Sequence, residues 1–415
     1  MARYFVRFPA IEATSEAMTL FNERPKAAQP QRSRSDPTLA IAELDEHDVV
    51  VMQDRGAKIY EDVQFAVVPP SFDRSDRGAR AAEFWRMPAD RTALMTPTKS
   101  LDDVLVHIKA PDAWAYARGG GTTIAVVDTG ICGSLLEFPQ NKRSPIDLPT
   151  AFAGKHWTDV KGHGSMCATI AAGSKLGGGR FDGVAPDATV LAARTTLTAT
   201  DVYAIYDELI DAKRKGEIDG PLIISNSYGL YVCDPPAILP LDHPYLGIVL
   251  TAIEEGAVVV FAAGNNHYDV LCDHDPTACE PNTIWAVNSH DRVISVGTVN
   301  EKESNRDSTT PHANSSRGPG QWAEELPKPD CVAPTYGRVV WGCGYRIMDW
   351  WGTSGACPQV AGLAALILSV SPGLTPRQVG DIIRRTCRTI DGALSCVGHG
   401  IIDCEAAVSE ALSMT

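Results

Sequence analysis

Several things this 415-residue chain lacks narrow its reading at the outset. No apolar run approaches the ~20 residues that a membrane-spanning helix needs, and the longest, Val360 to Val370, falls well short. The opening stretch, MARYFVRFPAIEATSE, has no apolar core of the length a secretory signal requires. No Cys-x-x-Cys pair occurs, so the usual half-site of a structural zinc centre is missing. Positive charge is in deficit: the net charge is −14, and the first hundred residues are close to neutral, so the acidity belongs to the remainder. Such a body repels phosphate backbones. These absences predict a cytoplasmic protein with no membrane span, no nucleic-acid partner and no metal centre.

The composition that remains is that of a folded globular protein: 44% apolar residues is too many for a disordered chain, and 21% charged residues is ordinary. The eleven cysteines are odd in number and scattered, which fits mostly free thiols in a reducing compartment. Cys272 and Cys279, and Cys387, Cys396 and Cys404, are nonetheless close enough in sequence to pair.

Periodicity divides the chain. Residues 2–8 alternate as a strand does, Glu12 to Asn22 has helical spacing, and Val49–Gln53 and Tyr60–Val68 read as further strands, so residues 1–70 form a small α+β unit. Residues 71–100 are rich in Arg, Asp and Pro with little periodicity and read as a linker. From residue 101 to 415, short apolar runs alternate with helical segments: Thr123–Val127, Thr189–Ala193, Leu222–Ser225, Ala257–Ala262 and Val293–Val299. Strands that are apolar on both faces and separated by helices predict an α/β domain with a mostly parallel sheet covered on both sides, a three-layer arrangement.

Four positions within that domain carry reactive or polar groups at element ends. Asp128 follows the Thr123–Val127 strand, at the carboxyl edge where open α/β sheets place ligands. His163 lies between Gly162 and Gly164 just before an alanine-rich helical run, and Asn265 follows the apolar strand ending at Ala262. Ser354 opens the long apolar helix that runs to Val370, where backbone N–H groups point outward unsatisfied. Singly, each fits a cap, turn or core role.

The strings around them change that. AVVDTGI, GHGS, FDGVAPDA, ISNSYG, VVVFAAGNN, VISVGTV, SSRGP, KPDCVAP and GTSGACPQVAG occur in that order between Ile108 and Val408, and the sequence here resembles the subtilisin family of serine proteases. The resemblance implies a subtilisin-like fold with Asp128, His163 and Ser354 as the catalytic triad, the Asn265 side chain and the Ser354 N–H as the oxyanion hole, and protein or peptide substrates. It also implies substrate binding by Ser227, Tyr228 and Gly229 along one backbone edge, with Ala262, Ala263 and Gly264 walling the primary pocket.

By the same resemblance, the unit at residues 1–70 is a prodomain acting as intramolecular inhibitor, and the self-processing cut falls between about Phe84 and Ser100. No cofactor is implied. Calcium is frequent in the family, but the Gly-rich loop Ser174–Asp182 lacks a cluster of oxygen ligands. Thr195 to Asp201 also lacks the glycines that commonly flank the outer subsites. An Asp-rich insert after Asn265 (Asp269, Asp273, Asp275, Glu280) suggests a taste for basic residues at P1. Two alternatives share these residues: a peptide-maturation protease or transpeptidase using the same triad, and a non-catalytic binding module on the same fold.

Overall fold

A computed structural model describes residues 2–19, 30–67, 100–233, 239–268, 272, 274–300, 310–335, 337–350 and 352–414. The linker and the expected processing region lie outside the described residues, Ser100 excepted.

The N-terminal unit is a four-stranded antiparallel sheet in the order β2-β3-β1-β4: β1 (Ala2–Arg7), β2 (Gln31–Arg32), β3 (Leu39–Leu44) and β4 (Lys58–Glu61). Helices α1 (Ile11–Thr19) and α2 (Glu46–Asp54) belong to the same unit. The expected strand at Val49–Gln53 is in fact helical. Asp45 caps α2 and forms a reciprocal capping box with Asp48, so local hydrogen bonding overrides the β preference of the three valines. Strand alternation then sorts the side chains. Val6, Ala42 and Leu44 join Ala17 and Met52 in the unit's own core, whereas Phe5, Leu39 and Ile41 point the other way into the body of the protein.

In the larger unit, seven strands form one sheet. Its central members are parallel: β5 (Thr123–Asp128), β6 (Thr189–Arg194), β7 (Leu222–Asn226), β8 (Val258–Ala262) and β9 (Ile294–Asn300), ordered β9-β8-β7-β5-β6. On the far side of β9 stand antiparallel β10 (Thr310–Pro311) and parallel β11 (Cys331–Pro334), while β12 (Arg338–Trp341) and β13 (Arg346–Asp349) make a separate hairpin. These positions match the apolar runs, as expected for strands buried on both faces.

Helices fill both layers. Besides α3 (Leu101–His107), one face carries α4 (His163–Ala172), α7 (Thr353–Val370), α8 (Pro376–Thr386) and α9 (Cys404–Leu412). The other carries α5 (Ala199–Arg214) and α6 (Pro244–Glu254). Helix α7 is long and apolar enough by composition to cross a membrane, but 89% of it is buried inside this fold, where it is the central core helix.

The N-terminal sheet docks on α5 and α6. Ser33 meets the Tyr203 hydroxyl at 2.8 Å, and the backbone N–H groups of Arg34 and Ser35 donate to Asp207. Asp242 accepts from the Tyr60 hydroxyl and pairs with Lys58. His243, buried at this seam, caps α6 by accepting the Tyr245 N–H at Nδ1, while the rings of Phe5 and Tyr60 meet it edge-on at 5.3 and 5.4 Å. Burial pushes its imidazole down to about 4.

The cysteines depart from the expected free thiols: Cys132–Cys343, Cys233–Cys272 and Cys279–Cys396 are disulfides, and Cys167, Cys331, Cys357, Cys387 and Cys404 are free. Two of the bridges span 211 and 117 residues, so spacing along the chain could not reveal them.

Beneath the sheet, Asp330 is wholly buried and accepts from Lys328 at 2.6 Å, Arg384 at 2.7 Å and the Ser295 N–H at 2.7 Å, tying β9, β11 and α8 together. Asp330→Ala leaves buried Lys328 without an anion and takes one of two carboxylates from Arg384, and it is expected to cost about 3–5 kcal/mol in chemical denaturation. Acid acts at the docking seam. Because the native imidazole of His243 titrates well below a free histidine, its contribution is complete above about pH 6.5 and is lost as pH falls toward 4, up to about 3 kcal/mol. His243→Asn, which keeps a capping acceptor, is expected to flatten that part of the stability-versus-pH curve in thermal melts.

Candidate active site

Asp128 ends the central strand β5 and is completely buried. The His163 Nδ1–H donates to its carboxylate, at 2.8 Å from Oδ1 and 3.0 Å from Oδ2. This tautomer leaves Nε2 as the ring's lone-pair acceptor, and that atom is buried with no hydrogen-bond partner. His163 begins α4, and its neighbourhood explains why. Asp159 accepts the N–H groups of Gly162 and Ser165 and the Ser165 hydroxyl, capping the helix from outside. It also accepts from the Thr129 hydroxyl, which in turn accepts the Gly164 N–H, so the strand exit and helix entry are bonded together. Gly164 is obligatory here: a Cβ would lie 2.1 Å from the Gly130 carbonyl oxygen.

Ser354 sits at the start of α7 behind Gly352, whose φ of +75° opens the turn. Its Oγ lies 3.3 Å from the Ser227 carbonyl oxygen and 3.4 Å from that of Val67. Asn265 enters from the end of β8. Its Oδ1 accepts the N–H (3.0 Å) and hydroxyl (3.1 Å) of Thr353, which fixes the amide so that Nδ2 is left for another acceptor. One cleft brings together Ser354, Thr353, Asn265, Ser227, Tyr228, Gly229, Ala262 and Gly264. Ala263 is not among its lining; its N–H is spent on the Val296 carbonyl.

A strand already lies in that cleft. Ala66 and Gly229 exchange both backbone hydrogen bonds, at 3.0 and 3.3 Å, and the Phe65 N–H donates to the Leu197 carbonyl at 2.7 Å. Phe65 is buried between the rings of Tyr228 and Tyr245. On the outer edge, where glycines were missing from the sequence, Leu197 takes the left-handed conformation itself (φ +66°), held by Asp201 bonds to Thr195 and Thr196 and by its own N–H to Thr195.

The model of the subtilase family of peptidases matches residues 119–400, well over half of the chain. This chain is a subtilase. It is 29% identical over 322 residues to mycosin-4 of Mycobacterium tuberculosis, covering 71% of this chain and 66% of that protein. To the serine protease AprX of Bacillus subtilis it is 28% identical over 327 residues, with 70% and 66% covered. A calcium-dependent protease of Trichormus variabilis is 28% identical, with 74% and 49% covered, so this subtilase spans between about half and just under two-thirds of these relatives. Among solved structures, MycP1 with its N-terminal propeptide removed superposes with a TM-score of 0.54 at 26% identity, over 74% of this chain and 96% of that one.

The comparison overturns one expectation. The mycosin MycP1 comes from the ESX-1 type VII secretion system, so the expectation of a cytoplasmic location does not stand. Three disulfides agree with the correction, because such bonds persist in oxidising compartments.

No carboxylate lines the cleft among the described residues; Asp275 is spent on Thr277, and Asp269 and Asp273 lie outside them. The described residues therefore add no support for the basic P1 preference. The one group of three metal-capable side chains among the described residues, Asp128, His163 and Cys167, is not the set of oxygens that calcium takes. Cys357 is a core thiol whose burial pushes it up to about 11, and burial holds Cys167 well above the usual thiol range. Sequence reading missed Asp159, which caps its own helix and also reaches Thr129, and Thr353, which acts across 88 residues on Asn265.

Proposed function

We propose that this subtilase is a serine peptidase that cleaves peptide bonds through an acyl-enzyme, and that its N-terminal unit is an inhibitory prodomain. The Asp128–His163 hydrogen bond supports the first part, because it holds an imidazole whose Nε2 is left unbonded, and Cys167 Sγ, 3.7 Å from the His163 Nδ1 and 3.5 Å from the Ser354 carbonyl oxygen, places that ring beside Ser354. His163 Nε2 takes the Ser354 proton as Oγ attacks the scissile carbonyl, and Asp128 stabilises the resulting imidazolium. The oxyanion accepts from Asn265 Nδ2 and the Ser354 N–H. Collapse expels the amine with the proton from His163, and water repeats the sequence to release the acid.

The second part rests on the docked strand, whose carbonyl at Val67 stands over the Ser354 hydroxyl and whose backbone pairs as an extended peptide does. With that strand in place Ser354 Oγ is turned toward Ser227 and Val67, so its displacement precedes catalysis. MycP1 also has an N-terminal propeptide.

Ser354→Ala is expected to lower peptidase turnover by on the order of 10⁶. Asn265→Ala should cost roughly 10²–10³. Both magnitudes are subtilisin's own, carried over to this site. Near wild-type hydrolysis by Ser354→Ala would rule out the assignment. Phe65→Ala removes the buried ring that anchors the strand, a truncation worth about 3–5 kcal/mol. It should raise the rate at which a fluorophosphonate labels Ser354 in the full chain by at least about tenfold; an unchanged rate counts against the inhibitory role.

A further inference from the structure

We propose that the β12–β13 hairpin is a clamp on the catalytic imidazole, with Trp341 as its positioning residue and the Cys132–Cys343 disulfide as its lock. This rests on the reading of His163 as the base. Acyl transfer by a triad requires no cross-link between its loops, yet this hairpin touches all three of them.

At the histidine, the Trp341 ring meets the His163 ring edge-on, with centroids 6.3 Å apart and planes at 75°; among the described residues no other aromatic ring contacts it. Gly342, next to Trp341, abuts Gly162, next to His163. A Cβ on Gly162 would lie 3.2 Å from the Gly342 nitrogen, and a Cβ on Gly342 would lie 3.2 Å from the Gly162 Cα. Glycines at both points ease that tight approach, and both hold positive φ, +84° and +57°.

At the aspartate, Cys343 is bonded to Cys132, four residues beyond Asp128. The Cys132 N–H donates to the Ser165 hydroxyl on the helix that carries His163, and the Tyr345 hydroxyl donates to buried Glu137 at 2.6 Å. At the serine, β13 leads into Trp350, fully buried and packed so closely beneath Gly355 that a Cβ there would lie 1.9 Å from the indole. The hairpin is itself rooted in the core by Val339 and Val340.

The need for a clamp follows from the imidazole's bonding. Nδ1 is held by Asp128, but Nε2 has no partner, so one edge of the ring has nothing polar to fix its tilt. An aromatic edge contact supplies a directional restraint that an aliphatic side chain cannot. The disulfide keeps that contact in place by linking segments 211 residues apart in the sequence.

The test uses the full-length chain as Trp341→Leu, Trp341→Phe and Cys132→Ala/Cys343→Ala. Leucine keeps apolar volume and so the fold, phenylalanine restores a ring, and the double variant leaves the other two disulfides intact. The first readout is the ¹H–¹⁵N resonance of the His163 Nδ1–H at neutral pH, which needs no turnover. The second is the rate of fluorophosphonate labelling of Ser354. Trp341→Leu and the double variant are expected to broaden or lose the resonance and to label about tenfold or more slowly, with Trp341→Phe within about threefold of wild type. A sharp, unshifted resonance in either Trp341→Leu or the double variant overturns the clamp, as does failure of Trp341→Phe to rescue. A chain that shows the resonance but never labels, even as Phe65→Ala, refutes the peptidase reading instead, and the resonance alone then judges the clamp.

Discussion

The carboxylate of Asp128 is entirely withdrawn from water, and the geometry around the cleft follows from how that group is satisfied. A buried anion is costly unless its oxygens are bonded. Oδ1 accepts the Thr129 N–H at 2.7 Å, and both oxygens face the His163 Nδ1–H. Those bonds hold only if the exit of β5 and the entry of α4 stay within a few tenths of an ångström. Thr129, Asp159 and Gly164 serve that approach: one hydroxyl and one carboxylate stitch the two loops, and the absent side chain of Gly164 lets the backbones touch.

A second constraint comes from the parallel sheet. Its strands end together on one side, so Asp128, Ser227 and Asn265 arrive at the same rim from β5, β7 and β8, and α7 delivers Ser354 from the covering layer. The edge left open beside Gly229 and Leu197 pairs through main-chain groups, which tolerates many sequences. The protein's own residues 64–67 fill it here. The N-terminal sheet that presents them turns Phe5, Leu39 and Ile41 into the body's core, so strand and sheet dock as one apolar surface.

Disulfides add restraint where loops, not regular elements, carry the site. Cys132–Cys343 lies beside the proposed triad, whereas Cys233–Cys272 and Cys279–Cys396 pin the segment that follows Asn265. The five remaining thiols are mostly core groups: Cys167, Cys331, Cys357 and Cys404 are buried. Cysteine spacing therefore misled in two ways, about pairing and about compartment, because both depend on which residues meet in space.

What the sequence determined by itself was the α/β class and the five central strands, and by resemblance it named the four residues proposed as triad and oxyanion hole. These are local signals: apolar runs of strand length, glycines beside a reactive side chain, and strings in a recognisable order. Local pattern failed at Val49–Gln53, where a capping box outweighed β-branched residues. Tertiary structure alone decided that Leu197 could replace a glycine, that Thr353 orients Asn265, that Asp159 caps the helix that begins at His163, and that Val67 lies over Ser354. The Thr353 and Val67 contacts join atoms 88 and 287 residues apart, brought together by burial of the two cores, and the Asp159 and Leu197 bonds, though local, depend on a backbone path that residue spacing alone does not encode.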